Sequence, residues 1–232
     1  MKKSYFFVLP MMCVACIQAQ NIGEKYVGAT YMFDPLGEEV APDMDPLIRF
    51  DAFDCVTFVE TVLADGDVNK LNKIRYKDGQ ISFINRNHFI ESDWLSNNAD
   101  LVENISAQFG KTAIRTVTIN RGEWLKRIHN ITVPKSITTV NLEYLPYENF
   151  TTIKTEMPLV VLFIQGKSAD TTKKLGTDLT ALHMGFVLPN GMLRHASSAA
   201  GKVVDVKFDE YVAKRKKMAN NIGVVLLKIK QK

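Results

Sequence analysis

Cysteine is scarce. The 232-residue sequence holds three, and two of them, Cys13 and Cys16, fall among the first twenty residues. Excess charge of either sign is also missing: 29 basic residues face 25 acidic ones. The only dense basic cluster, Lys214-Arg215-Lys216-Lys217, reads as a solvated helix face, so nothing points to nucleic acid. No repeat or low-complexity segment interrupts the chain, and no stretch reaches the apolar length of a membrane-spanning helix. With 46% hydrophobic residues there is ample material for a buried core.

The first twenty residues have the pattern of an export signal. Lys2 and Lys3 precede an apolar run from Tyr5 to Ile17, interrupted by Pro10, and small Ala19 follows. Cleavage near Ala19 or Gln20 would remove Cys13 and Cys16. Val14-Ala15-Cys16 offers a second route, lipoprotein processing that leaves a lipid anchor on Cys16, although Cys13 stands where a larger aliphatic is usual. Either route predicts a periplasmic or secreted protein, in the second case an outer-membrane lipoprotein. Without Lys2 and Lys3 the chain has 27 basic and 25 acidic residues, a net charge of +2. Residues 21–232 suit one domain, and its sole cysteine is Cys55. An exported protein with one cysteine has no internal disulfide partner for it, so the thiol is either inert in a core or kept for chemistry.

Residues 21–49, with Asp34-Pro35 and Asp45-Pro46, read as loop. Val56, Val59, Val62 and Leu63 then recur at helical spacing, with Asp51 or Asp54 as N-cap and Gly66 as the stop. Alternation on both sides of Asp78-Gly79 predicts a hairpin over residues 74–83. Arg86 to Asn98 is loop plus a short helix, and Pro158 to Ile164 is an apolar run of buried-strand length, followed by a polar loop from Gln165 to Thr180. Further strands are expected at 113–119, 138–145, 183–188, 192–197, 203–206 and 224–229, and helices at 123–129 and 208–219. An early helix and a strand-rich second half describe an α+β fold, with the helix packed on an antiparallel sheet.

A thiol in the first turn of a helix lies at the positive end of the helix dipole, which favours the nucleophilic thiolate. Its base would come from His88, His129, His183 or His195. His183 and His195 lie in adjacent strands, and the loop between them decides whether they meet. A two-residue Asn190-Gly191 loop would put them on opposite faces. A three-residue Pro189-Asn190-Gly191 loop pairs Gly185 with His195 and puts both on one face. Proline suits the first central position of a type I turn and glycine the left-handed position after it, so the turn chemistry predicts the second register. One histidine can then act as base to Cys55 while the other orients it. A zinc site from Cys55, His183 and His195 is the alternative reading, without a His-Glu-x-x-His motif or a Cys-x-x-Cys pair in the mature segment to support it.

Phe53-Asp54-Cys55, His183-Met184-Gly185-Phe186 and His195-Ala196 resemble the NlpC/P60 superfamily of papain-like cysteine hydrolases, and Gly28-Ala29-Thr30-Tyr31 is similar to its Gly-x-Pro-Tyr element. The strings from Asp54 to Glu60, Ile74-Arg75-Tyr76, Arg86-Asn87-His88-Phe89, Asp93-Trp94 and Arg194 to Ser198 resemble more closely its DUF1460 branch, an N-acetylmuramoyl-L-alanine amidase-like family. The resemblance implies a papain-like core with family-specific insertions, Cys55 as nucleophile, His183 as base, His195 as orienting residue and no cofactor. It also implies cleavage of the amide between muramic acid and L-alanine, with a preference for 1,6-anhydro muropeptides. Tyr31, Asp54, Arg86, Asn87, His88, Trp94 and Ser197 are the candidate substrate contacts, Trp94 by stacking on a sugar and Arg86 to His88 by hydrogen bonding. A small muropeptide is the only partner implied. Val56 and Thr57 stand where Ser-Gly is common in the superfamily, which speaks against a pocket for a free stem-peptide amine. The alternatives are a γ-D-glutamyl-diamino acid endopeptidase and a noncatalytic wall-fragment binder.

Overall fold

A computed structural model describes residues 21–230. The predicted export signal and its Cys13 and Cys16 lie outside the described residues. In chain order the elements begin with two short strands, β1 (Thr30–Tyr31) and β2 (Ala52–Phe53), then helices α1 (Cys55–Ala64) and α2 (Val68–Arg75). Next come β3 (Val102–Asn104), β4 (Ala113–Asn120), α3 (Arg121–His129), β5 (Ile137–Pro146), β6 (Leu159–Gln165) and α4 (Ala169–Leu175). The chain closes with β7 (Ala181–Val187), β8 (Met192–Ser197), β9 (Lys202–Lys207), α5 (Phe208–Lys216) and β10 (Asn221–Ile229). The strands form one sheet in the order β2-β1-β9-β8-β7-β6-β10-β5-β4, with β3 also pairing β10. It is a mixed sheet: β1 and β2 run parallel, and the other pairs are antiparallel.

The sheet is covered on both sides. Phe58, Val59, Val62 and Leu63 of α1 are buried with Val160, Leu162, Met184, Phe186 and Ala196 on one side. On the other, Phe208 and Val212 of α5 bury against Val161, Phe163, Leu193 and Leu226. This explains the unbroken apolar run in β6, whose residues Leu159 to Ile164 are all buried: both faces of a central strand meet core. At 25 cal/mol per Å2, each such large side chain contributes about 1.5–3 kcal/mol.

Helix α1 starts where a capping box forces it to. Asp54 Oδ1 accepts from Thr57 N at 2.7 Å, and Asp54 N donates to Thr57 Oγ1 at 3.0 Å, an arrangement worth about 1 kcal/mol. The helix stops at Asp65 and Gly66, both left-handed with φ of 55° and 77°.

Two local expectations are corrected. The predicted hairpin at 74–83 is instead the end of α2 followed by 3-10 turns, with only an isolated bridge between Tyr76 and Arg86. Asp67 caps α2 by accepting from Lys70 N, and Leu71, Ile74 and Arg75 are buried at helical spacing, so helical packing overrides the β alternation around Asp78-Gly79. The polar loop 165–180 contains α4, whose N-cap Ser168 accepts from Thr171 N and whose C-cap is left-handed Gly176.

Candidate active site

The site forms where β7 and β8 part. Their hairpin has the three-residue loop Pro189-Asn190-Gly191: Leu188 N donates to Met192 O at 2.8 Å, and Gly191 takes φ of 77°. Phe186 pairs with Arg194 and Val187 with Leu193, which places Gly185 opposite His195. A side chain at 185 would collide there, its Cβ lying 2.8 Å from Arg194 O and 2.9 Å from His195 Cβ. The histidines therefore share a face, and His183 Nε2 meets His195 Nδ1 at 2.7 Å with the rings at 85°.

The same register supplies the thiol's surroundings. Leu188 turns its amide toward β8, so the even-numbered residues of β7 do likewise. Strand pairing ends after Phe186↔Arg194, which leaves the next such amide, that of Met184, without a strand partner. It donates toward Cys55 Sγ, as do the amides of Cys55 and Val56 at the start of α1. Those two amides are the first of the helix and have no helical carbonyl behind them to bond, whereas the Thr57 amide is taken by Asp54 Oδ1 and the Phe58 amide by Asp54 O.

Electrostatics correct one expectation. Burial, and then the adjacent Asp54 carboxylate, push the Cys55 thiol up to about 12, against the downward pull of the three amides. Desolvation thus outweighs the helix dipole, and the resting group is a thiol. The histidines are held neutral too. Burial lowers His195 to about 4 and takes His183 well below its ordinary value, with the positive charge of Arg215 acting in the same direction on both. In the tautomer where His183 Nε2 donates to His195 Nδ1, His183 Nδ1 is an unprotonated acceptor. A β-bulge at Leu182 sets the aim of His183, since Phe163 pairs with His183 but Ile164 with Ala181.

Of the remaining candidates, Tyr31 and Asp54 lie at this site. Tyr31 is half-buried beside β2, and its hydroxyl is raised by burial, by Cys55 and by Asp54. Asp54 acts as the helix cap. Ser197 shapes the β8–β9 turn by accepting from Ala200 N at 3.2 Å. The insertion residues go elsewhere. Trp94 has 0% exposure and donates to Glu60 Oε1 at 3.1 Å, so no sugar can reach its face. Arg86 is buried in a fork with Glu38, at 2.7 and 2.8 Å, and also bonds Asp43 at 2.6 Å. Asn87 donates to Ile74 O, and His88 bonds Phe83 O at 2.7 Å inside an aromatic cluster with Phe83 and Trp124. Burial drives His88 down to about 3. These four residues spend their polar groups on holding the 34–47 loop and the 86–98 segment in place. Among the described residues no three histidine, cysteine or acidic side chains are grouped to hold a metal ion, Cys55, His183 and His195 included.

Two residues escaped the sequence reading. Tyr211 of α5 lies 5.0 Å from the His195 ring and 6.0 Å from that of His183, and Arg215 donates to its hydroxyl at 2.8 and 3.2 Å. Both sit in a helix whose pattern marks only Phe208 and Val212 as inward-facing, so no local signal distinguishes them. A cavity of about 1400 Å3 near the far end of α1, bordered by Val62 and Asp65, contains neither cysteine nor histidine.

The fold has solved relatives. A Legionella pneumophila protein of the DUF1460 family is 26% identical with a TM-score of 0.83, over 94% of this chain and 89% of its own. An N-acetylmuramoyl-L-alanine amidase from Bacteroides uniformis is 22% identical with a TM-score of 0.72, over 94% and 99%. A putative xylanase from Bacteroides fragilis is 23% identical with a TM-score of 0.66, over 90% and 100%, which shows the fold alone. No curated protein matches the sequence. The AmiA-like family model, described as N-acetylmuramoyl-L-alanine amidase-like, matches residues 21–220, and the chain belongs to that family.

Proposed function

We propose that the protein is a cysteine-dependent amidase of a papain-like, NlpC/P60 type. Its reaction is hydrolysis of the amide between the lactyl group of N-acetylmuramic acid and L-alanine in muropeptides, with 1,6-anhydro muropeptides as preferred substrates. The observation that carries this reading is the 2.7 Å contact between His183 Nε2 and His195 Nδ1 next to the Met184 amide that faces Cys55 Sγ. Family membership supports a peptidoglycan-derived substrate.

Both partners are neutral at rest, so the thiol proton moves to His183 Nδ1 as sulfur attacks the lactyl carbonyl. His195 holds the ring and shares the charge of the resulting imidazolium. The Cys55 and Val56 amides, unpaired within the helix, stabilise negative charge on sulfur and then on the tetrahedral oxygen. His183 returns the proton to the leaving L-alanine nitrogen as the C–N bond breaks. Water, deprotonated by the same ring, then cleaves the thioester and regenerates the thiol. Export to the periplasm, where wall fragments arise, belongs to the same proposal.

Incubation with GlcNAc-anhydroMurNAc-tetrapeptide, followed by mass spectrometry, tests it. Free disaccharide plus intact tetrapeptide is expected. A cut inside the peptide would make the protein an endopeptidase, and binding without cleavage a wall-fragment binder. A Cys55→Ala variant with full activity would refute the mechanism.

A further inference from the structure

One buried carboxylate has no part in the chemistry above. Glu91 is 5% exposed and lies on a π-helical turn, Ile90–Trp94, a wide form of helix that is rare in proteins and frequent at functional sites. The turn is anchored: Phe89 N donates to Asp93 Oδ2 at 3.2 Å, and Arg121 pairs with the same carboxylate. Glu91 Oε1 accepts the Thr180 amide at 2.8 Å, and the Ala181 amide also donates to this carboxylate. Oε2, equally buried, has no partner among the described residues. Burial, with Asp178 acting in the same direction, holds the carboxyl above its ordinary value against the pull of the amides. An acid buried with one oxygen unused is a costly acceptor for two amides that a neutral side chain could satisfy.

Those amides open β7 just ahead of His183. Ile164 pairs with Ala181 and Phe163 with His183, so Leu182 between them is the extra residue of the bulge. Successive amides of a regular strand point to opposite sides, yet Thr180 and Ala181 both donate to one carboxylate. Glu91 therefore holds the irregular backbone that the bulge requires. Thr180 is fixed on its other sides as well, its hydroxyl donating to Gln165 O at 2.6 Å and its carbonyl accepting from Gln165 N at 2.9 Å. The route from Glu91 to His183 is the backbone and not charge: burial, His195 and Arg215 shift His183, and Glu91 does not.

We infer that Glu91 is a positioning residue for His183: its carboxylate fixes the Thr180 and Ala181 amides, these fix the bulge at Leu182, and the bulge aims the His183 ring at His195. The inference deepens the amidase reading and rests on it for the consequence in turnover, while the effect on the histidine contact stands by itself. The 86–98 segment is thereby tied to the site as a brace behind β7.

The test compares Glu91→Gln with Glu91→Asp. Glutamine keeps an acceptor oxygen in place and removes the charge, whereas aspartate keeps the charge and withdraws the oxygens by about 1.5 Å. With GlcNAc-anhydroMurNAc-tetrapeptide, Glu91→Gln should keep kcat within about threefold, since a neutral acceptor loses only part of each hydrogen bond, and leave the acid limb of kcat/KM unmoved. Glu91→Asp should lower kcat about tenfold at unchanged KM, as a displaced catalytic group does. Val102→Ala, a buried substitution on β3, three strands from β7, should lower the melting temperature and keep kcat. Imidazole nitrogen shifts in NMR report the His183–His195 hydrogen bond without turnover: Glu91→Gln should match the parent protein, and Glu91→Asp should lose the hydrogen-bonded shifts. Parental kcat or parental imidazole shifts in Glu91→Asp, or a Glu91→Gln protein impaired as much as Glu91→Asp, overturns the positioning role. A parent protein that cleaves no muramoyl amide, while Glu91→Asp still loses the hydrogen-bonded shifts, defeats the amidase reading and leaves the positioning role standing.

Discussion

Replacing Gly185 with alanine adds one methyl group at the point where β7 and β8 part. That methyl would lie 2.8 Å from Arg194 O and 2.9 Å from His195 Cβ. Comfortable carbon contacts begin near 3.5 Å, so the strands must separate by roughly 0.6 Å. Arg194 O is backbone and His195 Cβ is fixed to its strand, so no flexible tip can yield instead. Overpacking of this kind costs about 1–3 kcal/mol, which lowers the melting temperature by roughly 3–10 °C for a domain of this size. The larger effect falls on the site. Moving His195 by that distance carries the 2.7 Å contact with His183 past hydrogen-bond length. A displaced catalytic group costs about 100-fold in rate. The assay is kcat for release of tetrapeptide from the anhydro muropeptide, paired with thermal melting. Gly191→Ala is the control: no atom lies within 4 Å of its added methyl, but φ is 77°. It should lose about 1 kcal/mol from left-handed backbone alone and keep its kcat. A Gly185→Ala protein with wild-type kcat would refute the coupling of this register to catalysis.

Burial that pushes the Cys55 thiol up to about 12 predicts slow alkylation by iodoacetamide at pH 7, with a rate that climbs through pH 9 and shows no plateau; a plateau below pH 8 would reveal a preformed thiolate. Histidines depressed below their ordinary value stay neutral as pH falls, so kcat/KM should hold from pH 8 to below 6, and the acid limb belongs to the depressed histidines. Arg215→Gln removes a positive charge that lowers both, so it should move that limb toward neutral pH and cut activity at pH 5 several-fold; an unmoved or lower limb contradicts the assignment. Glu38→Ala leaves Arg86 with its buried fork unmade and should cost about 3–5 kcal/mol in urea unfolding, whereas a loss below 1 kcal/mol would mean that Asp43 and Asp34 suffice.

What could be read from the chain alone was what short-range chemistry dictates. Asp54 and Thr57, three residues apart, specify the start of α1 through their own hydrogen bonds, and the apolar run through Ile164 has the length of a buried strand. Pro189-Asn190-Gly191 carries its loop length in its turn preferences, and that length determines which histidines share a face. Where two local patterns competed, as at residues 74–83, period-two alternation lost to a helix that Leu71 and Ile74 could bury. The insertion misled for a related reason: a tryptophan and an arginine look alike whether they face ligand or core, and only packing against Glu60 and Glu38 distinguishes them. The sequence by itself determined the helix that Cys55 opens, the histidine register and the family. Tertiary structure alone decided the charge state of the thiol, the contacts of Tyr211 and Arg215 with the histidines, and the burial of Trp94. Desolvation and long-range fields depend on everything packed around a group, whereas caps, turns and strand periodicity depend only on its neighbours in the chain.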